Sequence, residues 1–321
     1  MTATLERPSG LATAPAKGRL PFWLRKRPKR TTMAKVGPTP RDIRWWVGIV
    51  WFVVSALLLG LVAHATVVGV LQHSRAQHLL YEQLRGDLAE ATAPLGQLTV
   101  DGEIVPNGTP IALVDVPRLG ISEVVVQGTT PMDLRGGPGH RRDTVMPGQQ
   151  GTSIIMGRQT TYGGPFGSIG RLAPGDTITV TTGQGVAEYT VFGVRRGGDP
   201  LPEPLRSGEG RLELITADGI PLAPSGSLHV DASLESEVRE TPSPVFTREV
   251  LDPSELALGA DSGAWFGTLF WLQWLIVAAV ALRWARTKWG VWQTWIVGVP
   301  LILALGAATA DSAIATLANL L

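Results

Sequence analysis

Three long uncharged runs divide the chain. Trp45 to Leu71, Ala264 to Leu282 and Trp289 to Ala310 each reach the roughly 20 apolar residues that a bilayer-spanning helix needs. Pro300 inside the third run predicts a kink. Just after the first run, Leu80, Leu84 and Leu88 recur at i, i+4 and i+8, one apolar stripe on a short helix. From 110 to 234 the pattern changes. Segments such as Asp176-Thr177-Ile178-Thr179-Val180-Thr181 alternate, are rich in Val, Ile and Thr, and are bounded by Gly or Pro, which reads as strands. The candidates are Ile111–Val116, Glu123–Gln127, Ser153–Met156, Asp176–Thr182, Glu188–Val194, Arg211–Thr216 and Ser227–Leu234. Short strands at this spacing, with no alternating helices, imply a closed barrel or a sandwich.

This gives a working division. Residues 1–44 are a disordered tail, 45–71 a first transmembrane helix, 72–109 a stalk helix and linker, and 110–234 the β domain. Residues 235–262, acidic and punctuated by Pro, are expected to be a solvated tether. Residues 263–283 and 289–310 are the second and third transmembrane helices, with a basic loop at 284–288 between them and an extracytoplasmic end at 311–321. A rival reading makes Ala63-His64-Ala65 a signal-peptide cleavage site, but the run is longer than a typical signal core.

Charge sets the orientation. Residues 1–44 hold eleven Lys or Arg against Glu6 and Asp42, whereas 73–262 hold fourteen Arg, no Lys and 24 acidic residues. Arg283, Arg286 and Lys288 make the only basic cluster after the β domain. Basic loops stay cytoplasmic, so the N-terminus is expected inside and the β domain and C-terminus outside, in a multi-pass plasma-membrane protein. All eleven Trp fall outside 73–262, as expected for interfacial anchors. The tail cluster Arg25–Arg30 is expected to read anionic lipid rather than nucleic acid. The absence of Cys excludes disulfides, thiolate metal sites and thiol nucleophiles. His140 and His229 lack a second ligand at metal spacing, so neither a metal nor another cofactor is expected.

Five stretches together resemble the sortase family, in an actinobacterial-type, class E-like form. They are Ile111–Gly120, Leu134-Arg135-Gly136-Gly137-Pro138-Gly139-His140, Pro147–Gly151, Thr160–Phe166 followed by Leu172–Asp176, and Leu214-Ile215-Thr216. The resemblance implies an all-β, eight-stranded barrel ectodomain beside the three transmembrane α-helices. It also implies a Cys nucleophile, a His acid or base and an Arg that stabilises the oxyanion. Here the matching positions hold Ala217, Arg158 and Ser227. A methyl group cannot attack a carbonyl, and a guanidinium that stays protonated cannot shuttle a proton near neutral pH.

The resulting expectation is a pseudo-sortase of a Gram-positive cell envelope, leaning away from enzyme activity. It would bind a sorting-signal-like peptide or a cell-envelope protein through a groove near His140, Arg158, Thr160, Tyr162, Thr216 and Ala217. Arg158 there would either bind an anionic ligand or pair with a neighbouring carboxylate. One alternative is a structural subunit that contacts a membrane-protein partner through its helices, since the third span is dense in small residues. Another is a transpeptidase or hydrolase with a non-cysteine nucleophile.

Overall fold

A computed structural model describes residues 43–321. The basic tail up to Asp42, with its Arg25–Arg30 cluster, lies outside the described residues. Contacts divide the chain into residues 1–50 and residues 51–321; the barrel and the sites described below lie in the second unit.

Helix α1 (Ile43–Ala63) continues through a π-helical segment (His64–Val68) into α2 (Gly69–Ala89). The sequence changes character along this one rod. The α1 half is apolar and exposed, while α2 is polar and amphipathic. Leu84 on the α2 stripe is buried, and α2 packs on the barrel at β1 and β2. Gln77 clamps it there. Its amide accepts from the Val124 N–H at 2.7 Å and donates to the Gly136 carbonyl at 2.8 Å. Gly69 permits the closest approach, because a Cβ there would lie 3.2 Å from the Tyr162 backbone.

The barrel contains β1 (Pro110–Val116), β2 (Ile121–Gln127), β3 (Gly139–His140), β4 (Gly151–Met156), β5 (Thr177–Thr182), β6 (Gly185–Arg196), β7 (Gly210–Ile220) and β8 (Ala223–Leu234). They close in the order β1-β2-β3-β4-β7-β8-β6-β5, which leaves no edge strand exposed. Seven of these strands cover the segments that the alternation predicts. The eighth, β3, is only two residues long and bridges β2 and β4. Alternate residues fill the interior: Ile155 from β4, Ile178 and Val180 from β5, Leu212 and Leu214 from β7, and Leu228 and Val230 from β8.

Residues 235–262, expected as a solvated tether, run against the barrel. Phe246, Ser254 and Glu255 are buried. The Arg142 guanidinium donates to both Glu255 carboxylate oxygens and stacks 4.4 Å from the Phe246 ring centroid. Gln97 accepts from the Phe246 N–H at 2.6 Å. The chain then forms α3 (Ala264–Trp289), turns at Gly290 with φ +94°, and returns as α4 (Val291–Ala315), which includes Pro300. Among the described residues, three helices are long and apolar enough to cross a membrane: Ile43–Ala89, Ala264–Trp289 and Val291–Ala315.

Candidate functional site

The outward faces of β4 and β7 carry a second apolar cluster. Ile154 and Met156 alternate with the inward Ile155, and Ile215 and Ala217 alternate with the inward Leu214. Leu134 walls one side, and Ala257 and Leu258 from the 235–262 segment pack on the other. An apolar floor on the outside of a barrel needs a cover, because exposed apolar area is unfavourable by about 25 cal/mol per Å².

The cover is the segment that follows α4. Asn319 and Leu320 are fully buried and Leu321 nearly so. Leu320 belongs to the same cluster as Ala217. The backbone is held in register as well: Gln159 N–H donates to the Leu320 carbonyl at 2.9 Å, and Asn319 N–H donates to the Gly259 carbonyl at 2.8 Å. The Asn319 side-chain NH₂ faces three carbonyl acceptors, Thr129 at 2.8 Å, Leu256 at 2.9 Å and Ser254 at 3.2 Å.

Arg158 closes one end of the groove. Gly157 N–H donates to the Ile215 carbonyl at 2.9 Å, which extends the β4–β7 ladder and fixes the next residue. The Arg158 guanidinium is fully buried. It donates to the Pro131 carbonyl at 2.6 Å, Thr161 Oγ1 at 2.9 Å, the Leu134 carbonyl at 3.1 Å and the Leu321 backbone oxygen at 3.2 Å. Thr161 Oγ1 also donates to the Leu321 oxygen. Among the described residues no Asp or Glu pairs with Arg158; its hydrogen-bond partners are the Pro131, Leu134 and Leu321 oxygens and the Thr161 hydroxyl. Burial pushes its pKa down to about 10, so it remains protonated at neutral pH.

Beside the groove, β7 and β8 place Ala217 opposite Ser227, Ile215 opposite His229 and Glu213 opposite Asp231. Ser227 Oγ lies 2.8 Å from His229 Nε2, and His229 Nδ1 lies 2.6 Å from Glu213 Oε1. Arg195 from β6 bridges Glu213 and Asp231. Burial pushes the Glu213 pKa up, but the His229 hydrogen bond and the Arg195 charge outweigh it and leave the carboxyl below its usual range. For Asp231 burial prevails over Arg195, and the pKa is raised. Among the described residues no group of three or more His, Asp or Glu is placed to hold a metal ion.

The barrel order and its outward groove can be set beside known proteins. A family profile described as "Sortase domain" matches residues 114–220. Residues 114–220 are thus a sortase domain. Sortase D of Bacillus subtilis (strain 168) is 26% identical over 85 residues, 26% of this chain and 41% of that protein. The chain therefore spans about two fifths of the length of the curated relative it matches. A Clostridium perfringens Sortase D5 transpeptidase is 22% identical, with a TM-score of 0.41 over 50% of this chain and 99% of that one. Sortase E from Streptomyces avermitilis is 28% identical, with a TM-score of 0.36 over 47% of this chain and all of that one (100%).

Within the barrel, Ala217 lies in the covered apolar cluster, Ser227 pairs with it across the β7–β8 ladder, and Arg158 donates to the Leu134 and Leu321 oxygens at its side. Of the other expected groove residues, Tyr162 lies against Arg158, whose guanidinium carbon is 5.1 Å from its ring centroid, and the rest have other surroundings. Thr216 shares the inward face of β7 with Leu212 and Leu214. Thr160 is half-buried beside the Arg158 turn. Tyr162, at φ 51°, faces the helices. Its N–H donates to the Ala65 carbonyl at 3.3 Å and its hydroxyl to Asp311 Oδ1 at 2.9 Å. What sequence reasoning missed is the 319–321 segment, which carries no charge and no motif.

His140 is pinned inside β3. Its Nε2–H donates to the Val145 carbonyl at 2.9 Å, and Nδ1 lies 3.0 Å from the Gln127 amide oxygen. Burial pushes its pKa down from 6.5 to about 4. Between those values the unfolded chain takes a proton that the folded chain refuses. Stability should therefore fall as the pH drops from 6.5 to about 4, by roughly 3 kcal/mol in all at 1.36 kcal/mol per pKa unit. Urea midpoints across this range check it; His140→Gln should flatten that part of the profile.

Proposed function

We propose that this chain is a membrane-anchored, extracytoplasmic sortase-fold module of a Gram-positive cell envelope that binds peptide without thiol chemistry. The observation that carries this reading is the groove itself. At the position that matches the sortase nucleophile stands Ala217, and against it lies a peptide segment with Leu320 in an apolar pocket. The groove supplies backbone hydrogen bonds and a side-chain pocket, the two elements of extended-peptide recognition. The position that matches the proton shuttle holds Arg158, which is occupied with structural hydrogen bonds. The positive-inside pattern supports a barrel outside the cell and a basic tail that would meet anionic lipid.

The test uses the full chain in nanodiscs with a fluorescent sorting-signal peptide. Anisotropy should report binding, and mass spectrometry should find the peptide intact. Ala217→Trp fills the groove floor and should abolish binding. A cleaved peptide, or binding indifferent to Ala217→Trp, would overturn the reading.

The Ser227–His229–Glu213 arrangement favours a second reading, a serine acyltransferase or hydrolase. Ionised Glu213 would fix the His229 tautomer with its proton on Nδ1, leaving Nε2 to accept the Ser227 hydroxyl proton. A fluorophosphonate probe decides it. Labelling that disappears in Ser227→Ala supports a serine nucleophile, and an unlabelled chain leaves the three residues as part of the cross-strand network with Arg195 and Asp231.

A further inference from the structure

Residues 319–321, which follow α4, are buried against the barrel. Asn319 and Leu320 expose nothing to solvent. The contacts fall into three kinds, each of which reads a different property of a peptide. Gln159 N–H, Thr161 and Arg158 read main-chain oxygens, which any extended peptide offers. The pocket of Leu134, Met156, Ile215 and Ala217 takes a branched aliphatic side chain. The carbonyls of Thr129, Ser254 and Leu256 converge on the Asn319 NH₂. A ring of carbonyl oxygens rewards a donor and repels a carboxylate.

We propose that residues 316–321 are a tethered ligand of the groove. They occupy it in cis, and a peptide arriving in trans must displace them. The inference rests on the peptide-binding reading above and sharpens it in two respects. The favoured trans ligand is an extended peptide with a carboxamide side chain followed directly by a branched aliphatic one. Its access is set by the tail, because a ligand on a short tether acts at an effective concentration on the order of millimolar. The tail hangs directly from α4, so groove occupancy is linked to the position of that helix. Asp311, one turn before the helix end, accepts from Arg135 Nη1 at 2.6 Å and from the Tyr162 hydroxyl at 2.9 Å. Displacement of the tail therefore requires only residues after Asp311 to leave, while the helix stays docked.

Two measurements on the full chain in nanodiscs test this. The first uses the absence of native Cys. Ala217→Cys introduces a single thiol at a position 1% exposed beneath Leu320. Its maleimide labelling should accelerate at least tenfold when Asn319→Asp is added, because the isosteric carboxylate faces three carbonyl oxygens. Leu320→Ala provides a second, gentler release, and unchanged far-ultraviolet circular dichroism confirms the fold of each. The second measurement is anisotropy of a fluorescein-labelled peptide with the sequence of residues 313–321. It should bind the Asn319→Asp chain at least tenfold more tightly than the unaltered chain, and the same peptide with Asp for Asn should not bind.

The outcomes separate. Equal labelling rates with and without a release substitution would show that the tail does not cover the groove, and would overturn the inference. Equal peptide affinity for both chains, lost in Ala217→Trp, would overturn the inference and leave the groove reading intact. Faster labelling with no peptide binding to either chain would overturn both, because the tail would then be a fixed part of the fold.

Discussion

Arg158→Met should lower the stability of the sortase domain by on the order of 3 kcal/mol or more, on the basis of about 1–3 kcal/mol for each buried acceptor left without a donor. Methionine nearly matches the stem in volume, so lost packing is a small part of the effect. The loss comes from the carbonyls of Pro131 and Leu134, the Leu321 oxygen and Thr161 Oγ1, which receive the guanidinium at 2.6–3.2 Å. Relief from burying a charge offsets some of this, as the lowered Arg158 pKa indicates. Two comparisons sharpen the test. Arg158→Lys should recover only part of the loss, because an ammonium is a point donor and the acceptors are spread along a planar fork. Arg158→His, which restores the residue type of the sortase proton shuttle, should be destabilised too, since neutral imidazole has one N–H to give. Urea unfolding monitored by circular dichroism reads all three. Wild-type-like stability in Arg158→Met would mean that water or a neighbour replaces the guanidinium.

Asp311→Ala should weaken the docking of α4 on the barrel and lower stability by about 1–3 kcal/mol, the cost of leaving a part-buried polar group without its partner. Arg135 donates to Asp311 twice at 2.6 Å, once to the carboxylate and once to the main-chain oxygen. Only the first bond is lost on truncation, and Arg135 stays near the Tyr162 ring at 5.7 Å, largely buried and without its counter-charge. Tyr162→Phe removes one hydroxyl and should change stability by about 1 kcal/mol. A double-mutant cycle between the two positions should give a coupling of about 0.5–3 kcal/mol. Additive effects would mean that the Tyr162–Asp311 bond at 2.9 Å contributes nothing in solution.

The sequence made the barrel and the apolar helices readable for a simple reason. Both depend on periodicity repeated over many residues. Ile178 and Val180 alternate with threonines over a whole strand, and Trp45 to Leu71 stays uncharged over a whole span. Features held by single contacts were not readable. β3 is two residues in a Gly-rich loop, too short to alternate, and is fixed by its neighbours β2 and β4. Residues 235–262 have the composition of a solvated linker, yet Phe246 and Glu255 anchor them through Arg142. Arg158 reads as an anion site or an ion pair, because sequence shows a charge and not the carbonyls around it. Residues 311–321 read as a short extracytoplasmic end, and nothing in the composition of Thr316–Leu321 marks it for a pocket on the barrel. The chemistry of the site was partly legible. The replacements at 158, 217 and 227 stand in the sequence, but the contact of Ser227 with His229 and Glu213 depends on the register of two strands.

The order of the chain adds a temporal constraint. Every strand of the barrel precedes α3 and α4, and the residues that seal the groove follow them. During synthesis the barrel is complete while Leu134, Met156 and Ile215 are still bare. The strip is therefore covered only once Leu320, which follows α4, has been made, and a chain stalled before that point would leave it open to any unfolded segment nearby.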